Sequence, residues 1–176
     1  MGHNENRVPF HIRSAVPADA AQIFALVTEL AAYEKLSAAV DATAETLAQA
    51  LFGTAPRVFC DMAEQDGEPI GLAVWFYTFS TFRGRHGIWL EDLYVRPAFR
   101  GRGTGKALLA GLAARCVREN LARLEWSVLD WNTPSIAFYK AMGAVLMDEW
   151  TNCRCEGGAL SSLAALAAGK ADPVRI

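Results

Sequence analysis

Between an apolar stretch ending at Val95 and a helical stretch beginning near Lys106, the chain runs Arg100-Gly101-Arg102-Gly103-Thr104-Gly105-Lys106. No other feature limits the possible folds as much. Three glycines at alternate positions remove the Cβ atoms that would hold a ligand off the backbone. They also open the φ > 0 conformations in which successive N–H groups converge on one anion. A helix starting there aims its free N–H groups at the same spot. Arg100, Arg102 and Lys106 add full positive charges, and Arg can fork onto phosphate oxygens where Lys acts as a point charge. A strand, a glycine turn and a helix in this order suit a diphosphate at the turn.

Spacing separates this run from two common phosphate loops. A P-loop needs four residues between its first Gly and the Gly-Lys pair, then Ser or Thr; here three residues separate Gly101 from Gly105-Lys106, and Ala107 follows. The dinucleotide fingerprint would need a third Gly where Lys106 stands. An Arg-x-x-Gly-x-Gly pattern remains, from Arg100 to Gly105. The plainer alternative is a basic turn that only joins a strand to a helix.

The length of 176 residues fits one domain. With 52% apolar and 20% charged residues the composition is that of a globular protein. A formal net charge of −2 gives no global attraction to nucleic acid or an anionic membrane, so the basic residues near position 100 are read as a local site. No apolar stretch is long enough for a bilayer span, and Met1 to Asn6 is polar, so a cytoplasmic location is the default expectation. Cys60, Cys116, Cys153 and Cys155 lack paired Cys-x-x-Cys spacing. Free thiols and no metal are expected. His3, His11 and His86 form no cluster.

Periodicity predicts a short strand over 10–14, a helix from Pro17-Ala18-Asp19 to about Tyr33, and a second helix from Ala44 to about Leu51 with Thr43 as its cap. Arg57 to Ala63 and Ile70 to Phe79 read as antiparallel strands around an Asp66-Gly67 turn. A long strand over His86 to Val95, a helix from Thr104 to about Asn120, a strand over Leu124 to Leu129 and a short helix opening at Thr133-Pro134 follow. Val145 to Cys155 suggests one or two last strands, and residues after Gly157 a terminal helix. The expected architecture is a single α/β domain over residues 10–168, with a mixed central sheet of six to seven strands and helices on both faces. It is flanked by a polar extension (1–9) and a tail (169–176).

Four segments together carry a resemblance. They are Glu29-Leu30-Ala31-Ala32-Tyr33-Glu34, Trp89-Leu90-Glu91-Asp92-Leu93-Tyr94-Val95-Arg96, Arg100 to Lys106, and Trp131-Asn132-Thr133-Pro134-Ser135-Ile136-Ala137-Phe138-Tyr139-Lys140. In this order the chain resembles the diamine N-acetyltransferase branch of the GNAT superfamily, from about residue 10 to about residue 165. The resemblance implies the GNAT fold, acetyl-coenzyme A (acetyl-CoA) as cosubstrate, a small-molecule amine as acceptor, and a homodimer with its active sites at the subunit boundary.

It also assigns roles. Tyr139 would be the general acid for the departing thiolate; a core tyrosine is the alternative. Glu91 would receive the substrate ammonium and take up its proton through water. Period-2 alternation puts Glu91 on the face opposite Leu90 and Asp92, and an ion pair with Arg83, Arg85 or Arg123 is the competing reading. The backbone of Leu93, Tyr94 and Val95 would bind the pantetheine arm as an added strand. Arg100, Gly101, Arg102, Gly103, Thr104, Gly105 and Lys106 would hold the diphosphate, with Asn132 and Ser135 also on the cofactor. Tyr33, Glu34, Glu125, Trp126, Ser127 and Glu149 fall where the family lines its amine pocket.

Polyamine-acetylating members place an Asp eleven residues before the Asp of Leu-Glu-Asp, and this chain has Thr81 there. A shorter amine, such as a diamine or a thialysine-like amino acid, is therefore expected. Acetylation of a protein amine, or cofactor binding without turnover, are the competing functions.

Overall fold

The computed structural model describes residues 9–167, so the predicted tail and residues 1–8 of the predicted extension, His3 among them, lie outside the described residues. The chain divides into two compact units, one reaching to Thr133 and one starting at Pro134. In the first unit the elements are β1 (His11–Ser14), α1 (Ala20–Tyr33), α2 (Ala44–Phe52), β2 (Phe59–Gln65), β3 (Glu68–Ser80), β4 (Arg85–Val95), α3 (Thr104–Arg118) and β5 (Leu124–Glu125). The five strands form one sheet in sequence order. The first three pairings are antiparallel and β4–β5 is parallel, as the crossover through α3 requires.

Local chemistry accounts for the boundaries. Pro17 opens a 3-10 turn ahead of α1, because its fixed φ and missing N–H suit a first turn. Thr43 caps α2, its Oγ1 accepting from Thr46 N at 3.2 Å while Thr46 Oγ1 accepts from Thr43 N at 2.8 Å. Asp66 and Gly67 turn the β2–β3 hairpin at φ 53° and 78°, the left-handed pair of a type I′ turn.

Apolar residues at helical spacing on α1 meet alternate residues of the sheet. Ile23, Leu26 and Leu30 pack with Leu51 of α2 and with Cys60, Met62, Leu72, Val74 and Tyr94. Side chains as buried as Ile23 and Leu72 each contribute about 1.5–3 kcal/mol. The opposite face carries Trp75, against which α3 lays Arg115, its guanidinium 4.7 Å from the ring centroid. Leu108, Leu109, Leu112 and Cys116 of α3 are buried. Helices thus cover both faces of the sheet.

Two expectations about strands need correction. Leu124–Glu125 is the whole of β5, pairing only with Ile88 and Trp89, where Leu124 to Leu129 was predicted. Just beyond that pairing β4 carries an irregularity (see below), and the ladder does not continue. Val145 to Cys155 forms no strand; Asp148-Glu149 interrupts its apolar run, and Trp150 N bonds Met147 O at 3.1 Å to make a turn. Five strands, rather than six to seven, are present among the described residues.

The second unit holds α4 (Thr133–Ala141, its first residue in the first unit) and α5 (Gly157–Ala167). Gly143, at φ 92°, ends α4 in the left-handed region. Cys153 and Cys155 are free and exposed, outside any strand. Cys60 and Cys116 are free and buried, and burial pushes both thiols up. Among the described residues no helix is long and apolar enough to cross a membrane.

Candidate active site

The irregularity on β4 is a bulge at Glu91. Val74 pairs with Asp92 and Trp75 with Leu90, which leaves Glu91 as an extra residue. Since Val74 and Trp75 are neighbours on β3, they face opposite sides, and so do their partners Asp92 and Leu90. The alternation expected across Leu90-Glu91-Asp92 is therefore broken. Trp89 Nε1 donates to Glu91 Oε2 at 2.9 Å. Trp89 pairs with Phe76, on the same face as Val74, so the two successive carboxylates Glu91 and Asp92 both lean toward the side covered by α1. Burial pushes the half-buried Asp92 carboxyl up to about 6, with smaller contributions from the negative charges of Glu91 and Glu34. Glu34, just past α1, is raised by burial too. Among the described residues Glu91 makes no ion pair with Arg83, Arg85 or Arg123: Arg123 binds Glu125 at 2.6 Å, Arg85 donates to Asn120 at 3.0 Å, and Glu91 is held by the indole.

The glycine run leaves β4 through a 3-10 turn at Pro97–Phe99 and enters α3 at Thr104. Gly101 and Gly103 have φ of 74° and 92°, and a Cβ on either would meet no atom within 4 Å. Ala107 N already bonds Gly103 O at 2.9 Å; the free N–H groups of the first helical turn lie between them. Thr104 is buried, and its hydroxyl is without a hydrogen-bond partner among the described residues. Lys106 and Arg102 are exposed. Arg100, expected to fork onto phosphate, is exposed but makes contacts within the chain. Its Nε donates to Val95 O at 2.8 Å, and its guanidinium lies 4.8 Å from the Tyr33 ring centroid and 5.5 Å from that of Tyr94. Leu93 is half-buried, Tyr94 and Val95 buried. Because β5 pairs only with Ile88 and Trp89, the Leu93 to Val95 edge lies beyond that ladder.

Tyr33 and Asn132, distant in sequence, meet: the Tyr33 phenol donates to Asn132 Oδ1 at 3.0 Å. The Tyr33 ring sits 6.1 Å from that of Trp131, over which Lys35 Nζ lies at 5.4 Å. Glu125 and Trp126 are half-buried and Ser127 exposed, at and after the end of β5. Ser135 and Tyr139 lie on α4, and Glu149 is an exposed turn residue; all three belong to the second unit. Tyr139 is buried, its ring 5.2 Å from Phe138. The first unit thus brings together the loop, Tyr33, Tyr94, Val95 and Asn132, and separately Glu34, Glu91 and Asp92. Sequence reasoning missed Asp92, Trp89 and Trp131. All three stood inside quoted motifs, but a period-2 pattern carries no sign of a bulge.

An α/β sheet with a bulged, carboxylate-bearing strand running into a positive-φ glycine turn and a helix defines a class of group-transfer enzyme. Residues 22–144 match the Acetyltransferase (GNAT) family, and the chain belongs to it as an N-acetyltransferase. Thialysine N-epsilon-acetyltransferase of Bos taurus is 38% identical over 164 residues, 87% of this chain and 96% of the relative. L-ornithine N5-acetyltransferase of Arabidopsis thaliana is 29% identical over 203 residues, covering 90% and 89%. Among solved structures, an integron cassette protein from the mobile metagenome of V. cholerae superposes with a TM-score of 0.75 at 26% identity, over 88% of this chain and 97% of that one.

Proposed function

We propose that this enzyme acetylates the side-chain amine of a small amino acid of the thialysine or ornithine kind, using acetyl-CoA. The observation that carries the reading is the trio Glu34, Glu91 and Asp92, negative charges near enough to one another to raise Asp92. Such a site favours an ammonium ion. Thr81 in place of an acidic residue argues against a long polyamine. The two relatives are named for thialysine and ornithine, amino acids with one primary amine at the end of a short side chain.

Coenzyme A fits the loop. Gly101 and Gly103 hold positive φ with open space where a Cβ would stand, which is what a backbone cradle for a diphosphate needs. Gly105, Arg102 and Lys106 complete it, with Ser135 and Asn132 on the rest of the cofactor. The bound thioester supplies the activated acetyl group. Glu91 receives the ammonium and accepts its proton through water, leaving a neutral nucleophile. The backbone of Leu93, Tyr94 and Val95 binds the pantetheine arm as an extra strand and offers an N–H to the thioester oxygen. Tyr139 holds, on its phenol oxygen, the proton that the leaving thiolate takes up. Tyr33, Glu125, Trp126, Ser127 and Glu149 are assigned to the amine pocket. The test is thiol release from acetyl-CoA across an amine panel of thialysine, ornithine, lysine, putrescine and spermidine. Thialysine or ornithine with the highest kcat/KM supports the reading; spermidine preferred over both would overturn it.

A further inference from the structure

Arg100 is exposed, yet its side chain lies back against the end of β4 and the end of α1, whereas Arg102 reaches only Phe99 of the adjoining turn, 5.6 Å from its ring centroid. Three contacts hold it: the 2.8 Å bond from Nε to Val95 O, and the two tyrosine rings at 4.8 and 5.5 Å. The first ties the start of the loop to the last residue of β4, closing the turn around Pro97–Phe99. The second reaches Tyr33, at the last residue of α1. From Tyr33 the chain of contacts continues through the phenol to Asn132 Oδ1 at 3.0 Å. Asn132 is itself buried, 4% exposed. Loop, strand end, helix end and the Asn132 turn therefore share one side-chain cluster.

We propose that Arg100 is a positioning residue that couples the diphosphate cradle to the amine pocket, acting through Tyr33 and Asn132. This rests on the functional reading above. Filling the cradle fixes the loop, and the loop fixes the guanidinium. The guanidinium holds the Tyr33 ring by a cation–π contact, and the phenol holds Asn132. Cofactor and amine then each bind more tightly in the presence of the other, by the same factor in both directions. A coupling of about tenfold lies in the usual range for such linkage.

The experiment is calorimetric titration of coenzyme A, with and without saturating thialysine, which allows no turnover. Wild type is expected to bind coenzyme A about tenfold tighter with thialysine present. Tyr33→Phe keeps the ring over Arg100 and removes the bond to Asn132. Arg100→Lys keeps the charge and removes the Nε bond to Val95. Both are expected to bring the coupling close to onefold, the coupling being the ratio of coenzyme A Kd without and with thialysine at a concentration that saturates each variant. Full coupling retained in Tyr33→Phe overturns the proposal. So does Arg100→Lys weakening coenzyme A equally with and without thialysine, the mark of a simple phosphate ligand. Wild type without coupling overturns it as well. Failure of the functional reading itself gives a different result: Gly103→Val would then bind coenzyme A as wild type does.

Discussion

Gly103 caps α3 at φ 92°, a conformation that costs a β-branched residue about 1–3 kcal/mol, yet a Cβ there would touch no protein atom. The fold can hold a side chain at this point; a diphosphate could not share the space. Gly103→Val is expected to abolish coenzyme A binding in calorimetry while circular dichroism keeps its native shape, and retained affinity would rule out this loop as the cradle. Tyr139 carries one removable oxygen. Tyr139→Phe is expected to lower kcat by about 100-fold or more, the scale of a lost general acid, with coenzyme A affinity within about threefold. A wild-type kcat would exclude Tyr139 as the acid. Asp92 stores a different kind of information. Its carboxyl lies near 6 in the fold against an ordinary 3.8, so the folded state binds the extra proton and is favoured at low pH. That advantage disappears as pH rises through about 6. Asp92→Asn is expected to raise stability above that pH by up to about 3 kcal/mol and to raise KM for the amine. Urea unfolding at about pH 8, together with KM, checks both; a destabilised variant would contradict the charge crowding.

Elements set where those residues point. The bulge on β4 does what neither Glu91 nor Asp92 could do alone: one extra residue turns two adjacent carboxylates toward the same side. It comes two residues after the last β4–β5 pair, so the same stretch of strand both gathers charge and leaves an edge for the pantetheine arm. Arg96, directly after β4, binds Glu29 of α1 at 3.0 Å and Glu68 of β3 at 3.1 Å, fixing the strand exit against the helix that ends in Tyr33. Helix α2 is remote from this chemistry and depends on its cap. Thr43→Ala removes the hydroxyl that accepts from Thr46 N, at a cost of about 1 kcal/mol, or about 2–4 °C in Tm for a protein of this size. Scanning calorimetry is expected to record that shift with kcat unchanged. An unaltered Tm would mean that the Thr46 half of the capping pair suffices.

For the molecule as a whole, charge pairs give stability two opposing slopes with pH. Arg13 donates to both oxygens of Asp19, at 2.6 and 2.8 Å, and also to Glu64. These bonds hold both carboxyls below their ordinary 3.8 and 4.5. The stability they supply is present above those values and is lost as pH falls through the lowered ones. Asp92 works in the other direction, so stability is expected to peak between about 4 and about 6. A urea midpoint higher at about pH 8 than at about pH 5 would refute this. Much of the rest was legible without coordinates. The helix running to about Tyr33, the Thr43 cap, the Asp66-Gly67 turn and the Arg100 to Lys106 run are short-range patterns, and each formed the element expected of it. Residues 124–129 and 145–155 were misjudged because a strand needs a partner edge, and no local pattern says whether one is there. The sequence by itself determined the helices, the hairpin, the glycine turn and the residue types of the site, since these follow from backbone preferences within a few residues. Only the tertiary structure decided that Glu91 and Asp92 share a side, that Arg100 lies over Tyr33 and Tyr94, and that Tyr33 reaches Asn132. Each of those depends on strand register or on contact between residues far apart in the chain, where cross-strand pairing and burial outweigh local preference.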